Sequence, residues 1–108
     1  MKVEIDSDIT KAKTIPSKFY HSKRVYRKLK KLFDRSWQFI GDTDLLKTNN
    51  AHPGILLEGM VDEPYILTKE NKKIRCFSNV CTHRGNIVCN NPCKTKALVC
   101  GYTFIRIR

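Results

Sequence analysis

Two short cysteine loops near the end of the chain constrain its fold more than any other feature. The first reads Cys81-Thr82-His83-Arg84-Gly85, and the second begins with Cys100-Gly101-Tyr102, so that 16 residues separate His83 from Cys100. A cysteine and a histidine two residues apart on a tight loop can aim a thiolate and an imidazole at neighbouring metal ions. Gly85 supplies the sharp turn that such a loop needs. We therefore expect the two loops to face each other at the tips of adjacent hairpins.

The length of the chain limits it to one small domain. It has 108 residues, of which 41% are hydrophobic and 29% charged, which is ordinary for a folded protein. No apolar run approaches the roughly 20 residues that span a bilayer, and residues 1–8 contain no signal-peptide apolar region. We expect a cytoplasmic protein without a membrane partner.

The net charge of +11 is unevenly distributed. Residues 71–108, which include both cysteine loops, carry eight basic side chains and no acidic one. This segment suits an acidic partner, although a solvated basic face without a specific partner is the simplest interpretation of the charge alone.

All five cysteines fall in the last third of the chain: Cys76, Cys81, Cys89, Cys93 and Cys100. Without a secretory signal we expect them to stay reduced, and clustered reduced cysteines favour metal binding over disulfides. Cys76 lies in an apparent strand and is predicted to be a small buried apolar residue. Cys89 is compatible with either a core position or an exposed thiol.

The hydrophobic pattern predicts one helix followed by several short strands. A helix beginning after Ser22 carries an apolar stripe with basic residues around it. Strands are expected at residues 37–40, 55–57, 65–67, 74–77 and 97–99, separated by polar or glycine-containing turns. The predicted fold is mainly β, a small antiparallel β-sandwich with an N-terminal α-helix. The predicted boundaries are an N-terminal arm at 1–17 and one domain at 18–108.

From about Pro16 to Tyr102 the chain resembles the N-terminal Rieske domain of ring-hydroxylating oxygenase alpha subunits. The closest match is residues 77–85, Phe-Ser-Asn-Val-Cys-Thr-His-Arg-Gly, and residues 33–41 also resemble the family. A Rieske [2Fe–2S] cluster has two thiolates on one iron and two imidazoles on the other. The resemblance implies that Cys81, His83 and Cys100 are cluster ligands, with Arg84, Gly85 and Tyr102 supporting them.

The resemblance also implies a function, one-electron transfer in an oxidoreductase. Family members take electrons from a ferredoxin or an NAD(P)H-linked reductase and pass them to a mononuclear iron in a C-terminal domain, and intact members are commonly homotrimers. No segment of this chain resembles that catalytic non-haem iron domain. We therefore expect an electron-transfer domain without catalytic residues of its own.

One position departs from the family pattern. Thr103 stands where the family has its second histidine ligand. A neutral hydroxyl is a poor ligand for this iron, so we expect the chain to hold little or no cluster. Cys89 or Cys93 could in principle supply a substitute thiolate. The altered position and the six residues after Tyr102 suggest an incomplete Rieske domain, from a truncated or frame-shifted gene.

Two interpretations from other classes remain open. Cys81, His83, Cys93 and Cys100 could form a structural zinc site, although their spacing matches no ordinary zinc finger or ribbon. The other interpretation is a basic interaction domain without metal. Its aromatic residues are not interleaved with the basic ones, so we do not expect nucleic acid as a partner.

Overall fold

The computed structural model describes residues 3–102, 104, 106 and 107. It divides into two compact units, Met1–Gln38 and Phe39–Arg108. In the described part of the chain, no helix is both long and apolar enough to cross a membrane.

The first unit contains the helix that the sequence predicts. A short 3-10 helix, Ser17–Phe19, precedes helix α1, Lys23–Phe33. Ser22 caps α1, because its hydroxyl accepts a hydrogen bond from the backbone N–H of Val25 at 3.3 Å. None of the residues of α1 is buried, and Leu32 of the apolar stripe is 60% exposed.

The strand predicted at residues 37–40 does not form. These residues have no regular secondary structure, and the side chains of Trp37 and Phe39 are almost fully exposed. An apolar run becomes a strand only where a neighbouring strand takes up its backbone hydrogen bonds. That prediction was wrong.

The second unit is built on a three-stranded antiparallel sheet. Its strands are β1, Ala51–Leu56, β2, Glu63–Glu70, and β3, Lys73–Ser78, with β2 in the centre. A short second sheet pairs β4, Leu98–Val99, with β5, Arg106–Ile107. The mainly β fold with one α-helix is therefore confirmed.

Two different turns connect the strands of the larger sheet. Between β1 and β2, the backbone N–H groups of Met60, Val61 and Asp62 all point at the carbonyl oxygen of Leu57. Between β2 and β3, only Asn71 and Lys72 intervene, and both have positive φ, 47° and 66°. Two consecutive positive φ angles are typical of the type I′ turn of a tight hairpin.

The core of the second unit lies on the central strand. Ile66 of β2 is completely buried and clusters with Ala51 and Cys89. Phe77, opposite Ile66 on β3, and Leu98 of β4 pack against this cluster. A 3-10 helix, Thr43–Leu46, also contacts β1 and β2 and contributes buried Leu46.

Two asparagine side chains link loops to this framework. The amide of Asn50 donates to the carbonyl of Thr95 at 2.7 Å and accepts from its N–H at 2.8 Å. Asn79 makes the same pair of bonds with Cys89, at 2.7 and 2.9 Å. Each side-chain amide thus makes the pair of hydrogen bonds that a residue of a neighbouring strand would make. Asn50 fixes the stretch that leads through β4 to the second cysteine loop, and Asn79 fixes the stretch that follows the first cysteine loop.

Candidate metal centre

The first cysteine loop, residues 81–85, is closed by its own backbone. The carbonyl of Cys81 accepts a hydrogen bond from the N–H of Gly85 at 2.8 Å. Gly85 has φ +68°, so the glycine does provide the sharp turn that the sequence predicts. An isolated antiparallel bridge between Val80 and Ile87 closes the base of the loop.

The second cysteine loop, residues 100–104, closes in the same way. The N–H of Phe104 donates to the carbonyl of Cys100 at 2.8 Å, and Phe104 has φ +56°. The pairing of β4 with β5 then closes its base. The fourth-ligand position at Thr103 lies outside the described residues.

Side chains of the two loops contact each other. The amide nitrogen of Asn86, next to the first loop, lies 3.9 Å from the sulfur of Cys100. The guanidinium of Arg84 makes a long hydrogen bond of 3.4 Å to the hydroxyl of Tyr102 and lies 5.8 Å from the centre of its ring. The expectation that the two loops face each other agrees with these contacts.

The three expected ligands differ in burial. Cys81 is 2% exposed and Cys100 is completely buried, whereas His83 is exposed. Two buried thiols, of which Cys100 lies near the amide of Asn86, fit the thiolate half of a Rieske cluster. The imidazole half is incomplete, because His83 is the one histidine of the two loops and Thr103 stands at the other position. The donor set of the two loops is therefore one ligand short of the group.

No preformed metal site is present in the described residues. In that part of the chain, no three or more side chains of histidine, cysteine, aspartate or glutamate are placed to hold a metal ion. Neither set that the sequence suggested, Cys81, His83 and Cys100 for a cluster or Cys81, His83, Cys93 and Cys100 or a similar set for zinc, is therefore assembled in the described part of the chain. Cys93 instead lies beside Cys89, with 3.8 Å between the two sulfur atoms.

The remaining cysteines also depart from the sequence expectations. Cys76 on β3 is exposed rather than buried, because β3 is an edge strand whose side chains are largely uncovered. Cys89 is buried in the core, which resolves the choice that its sequence left open. Burial, followed by the neighbouring Cys93, raises the pKa of the Cys89 thiol.

Asn79 and Asn86 were missed as residues that shape the centre. Asn79 holds the backbone that leads into the first loop, and Asn86 reaches the sulfur of Cys100. Asn79 lies two residues before the first loop and Asn86 directly after it, and these positions are the available signal, since asparagine amides often bond to nearby backbone in turns.

Comparisons with known proteins identify a family that includes both cysteine loops. The family model of the Rieske [2Fe–2S] domain matches residues 36–104. Choline monooxygenase from Spinacia oleracea is 30% identical over 93 residues, covering 84% of this chain and 20% of that protein. The glycine betaine monooxygenase oxygenase subunit of Chromohalobacter salexigens is 30% identical over 92 residues, 82% of this chain and 20% of the relative.

A dioxygenase is also among the relatives. The large oxygenase component of the 2,4-dinitrotoluene dioxygenase system from Burkholderia sp. is 31% identical over 87 residues, 77% of this chain and 18% of the relative. The chain thus spans about a fifth of the length of the curated relatives it matches. No solved structure gives a significant match.

Proposed function

Because the chain belongs to the Rieske [2Fe–2S] domain family, we propose that it is the electron-transfer module of an oxygenase whose cluster site is impaired at Thr103. The observation that carries this proposal is the pair of buried cysteines, Cys81 and Cys100, on contacting loops within the matched residues 36–104. The relatives named above are monooxygenases and a dioxygenase, which supports the oxygenase class.

In this proposal Cys81 and Cys100 bind one iron and His83 binds the other. The protein surroundings suit the first pair, since both thiols are shielded from water and the amide of Asn86 lies near the sulfur of Cys100. Position 103 provides no second imidazole beside His83. In the proposed site, the second iron therefore meets the hydroxyl of Thr103, which is a poor ligand. A bound cluster would supply one-electron chemistry at a potential set by its ligands and hydrogen bonds.

The ligand assignment can be tested by restoring the missing imidazole. The Thr103→His variant and the natural chain are purified without oxygen, and their iron, acid-labile sulfide and EPR spectra are compared. We expect little cluster in the natural chain and at least about fivefold more iron in Thr103→His, because two imidazoles hold the second iron. Thr82→His, which adds a histidine to the other loop at a non-ligand position, should give no gain.

Further substitutions in the restored chain separate ligands from bystanders. Cys81→Ser and Cys100→Ser should abolish the Rieske EPR signal of Thr103→His, whereas Cys76→Ser should leave it intact, since Cys76 is exposed on β3. A stoichiometric cluster in the natural chain would contradict impairment. A cluster that survives Cys81→Ser would contradict the ligand assignment itself.

We also propose an electron donor of opposite charge, a ferredoxin or an NAD(P)H-linked reductase, that binds the basic segment 71–108. Arg84 lies in the first loop, and Lys94 and Lys96 are exposed in the stretch before β4. Complementary charge mainly accelerates association and gives it a steep dependence on salt.

The docking proposal has a matched charge control. Replacing Arg84, Lys94 and Lys96 together by glutamate should weaken binding to an acidic plant-type ferredoxin at least about tenfold at low salt. Replacing Lys18, Lys23 and Lys28 by glutamate changes the net charge by the same amount, but these three residues belong to the first unit. Equal losses in both triple variants, measured by titration calorimetry, would show attraction by overall charge rather than a docking segment.

A further inference from the structure

A second pair of cysteines lies outside the two cysteine loops. The sulfur atoms of Cys89 and Cys93 are 3.8 Å apart, which is contact distance for two thiols. Cys89 is 8% exposed, Cys93 is half-buried, and the Cys89 thiol also donates to the carbonyl of Asn91 at 3.1 Å. The two sulfurs therefore need to move less than 2 Å toward each other to reach the roughly 2 Å of a covalent S–S bond.

Contacts with distant parts of the chain hold both cysteine backbones. The amide of Asn79 bonds to the N–H and the carbonyl of Cys89. Cys93 forms an antiparallel bridge with Ala51 of β1, through hydrogen bonds of 3.0 and 3.1 Å. The fold, rather than the three intervening residues alone, thus keeps the two sulfurs together.

The pair is accessible from the surface. Cys89 and Cys93 line the same surface cavity of about 520 Å³, together with Asn90, Asn91 and neighbouring residues of the stretch before and within β4. A small molecule that enters this cavity meets Cys93 as the more exposed thiol.

We propose that Cys89 and Cys93 form a thiol–disulfide redox site that reacts with low-molecular-weight disulfides such as glutathione disulfide. The assignment rests on the distance between the sulfurs, on the two anchored backbones and on the shared cavity. It involves neither Cys81 nor Cys100 and is therefore independent of the proposed cluster site.

The reaction proceeds in two exchange steps. The Cys93 thiolate attacks one sulfur of glutathione disulfide, forms a mixed disulfide and releases one glutathione thiolate. Cys89 then loses its proton and attacks the sulfur of Cys93, which forms the Cys89–Cys93 bond and releases the second glutathione. The protein loses two electrons, glutathione disulfide gains them, and the two thiol protons pass to the two released glutathione molecules. Cys89 suits the second step because burial keeps it protonated and out of reach of the first disulfide.

Peptide mapping provides a direct test on the unaltered protein. Cleavage after Arg84 and Lys94 releases residues 85–94, which contain Cys89 and Cys93 and no other cysteine. The protein is incubated with glutathione disulfide, and the remaining thiols are then blocked. We expect this peptide to carry no blocking group and to be about 2 Da lighter than its reduced form, because two hydrogens are lost. Two blocked thiols in this peptide, or a cross-link to another cysteine, would overturn the proposal.

A second measurement separates the folded site from simple proximity in sequence. In glutathione redox buffers, the equilibrium constant for forming the bond should be at least about tenfold larger in the folded protein than in urea. Asn79→Ala, which releases the backbone of Cys89, should reduce this ratio, while Cys76→Ser should not. A ratio near one in the unaltered protein would show that the fold contributes nothing.

Discussion

Among the described residues, Asn79 is the one polar side chain that is buried. Its amide satisfies the backbone N–H and carbonyl of Cys89, and its own backbone carbonyl accepts from the N–H of Val88 at 3.1 Å. A buried amide that loses such partners cannot replace them with water. A single side chain therefore joins the entry of the first cysteine loop to the core cysteine that follows it.

Replacing Asn79 tests the energy of this link. Asn79→Ala should lower the free energy of unfolding by about 2–3 kcal/mol, because it leaves two buried backbone groups of Cys89 unpaired. Asn50→Ala removes the same pair of bonds from half-buried Asn50 and should cost less, since water can reach Thr95. Asn90→Ala at an exposed position is the control and should be nearly neutral. Urea unfolding measures the loss in the free energy of unfolding for each of the three variants. Equal losses would contradict the expected order.

Phe104 is strained at the residue scale. Its φ of +56° lies in the left-handed region, which costs a residue with a Cβ about 1–2 kcal/mol relative to glycine. The side chain is 80% exposed, so little packing is lost when it is removed.

Phe104→Gly should therefore stabilise the protein by about 0.5–1 kcal/mol, after the larger backbone entropy of glycine in the unfolded chain is subtracted. Phe104→Leu keeps the Cβ and the strain, so it should leave the urea midpoint unchanged. A loss of stability in Phe104→Gly would mean that the exposed ring contributes more than the backbone strain costs.

Among the elements, the hairpin of β2 and β3 has a turn sequence that does not match its geometry. A type I′ turn prefers glycine at its second central position, which Lys72 occupies with φ +66°. Lys72→Gly should raise the free energy of unfolding by about 0.5–1 kcal/mol, because the steric strain of Cβ disappears.

The neighbouring lysine provides the control for this hairpin. Lys73→Gly removes the same side chain from the first residue of β3, where no positive φ is required, and should destabilise the protein. Thermal unfolding of the two variants should shift in opposite directions, and parallel shifts would contradict the turn assignment.

Sequence patterns predicted β2 and β3, but they missed residues 51–54 of β1 and the whole of β5, and they placed a strand at residues 37–40 where none forms. The apolar run of residues 65–67 and the alternating pattern of residues 74–77 correctly indicate strands, since β2 and β3 pair with each other. Residues 37–40 carry an equally apolar pattern, but Trp37 and Phe39 remain exposed. Strand periodicity also cannot tell which strand lies at an edge, and so it misplaced Cys76 in the core.

The candidate centre was predictable to the extent that it depends on local chain geometry. The spacing indicated the two loops and the turn at Gly85, whereas the ligand roles of Cys81, His83 and Cys100 were implied by the resemblance to the Rieske domain and stay a prediction. The Cys89–Cys93 contact was not predictable, because it depends on Asn79 and on the bridge from Cys93 to β1. Such tertiary contacts leave no periodic signal in the sequence.

At the scale of the whole molecule, burial differs between the two units. In the first unit α1 has no buried residue, and an isolated helix of 11 residues is marginal in water. In the second unit β2 has a neighbouring strand on both sides and contains buried Ile66 and Leu67. We therefore expect β2 to resist local opening more strongly than α1.

Hydrogen–deuterium exchange of the full chain measures this difference directly. The amides of α1 should exchange at least about 100-fold faster than those of Ile66 and Leu67, because fraying of α1 exposes no core. Ser22→Ala, which removes the helix cap, should accelerate exchange in α1 and leave β2 unchanged. Equal protection of α1 and β2 would show that the two units open as one cooperative structure.

The two cysteine loops are closed by the same type of backbone hydrogen bond. In each loop the cysteine carbonyl binds the N–H of the fourth following residue, and that residue has a positive φ. Gly85 of the first loop therefore already suits the backbone conformation that Phe104 adopts in the second loop. This glycine could be copied to position 104, whereas the histidine of the first loop would fall at position 102, so a redesign of the altered loop would combine Phe104→Gly with Thr103→His.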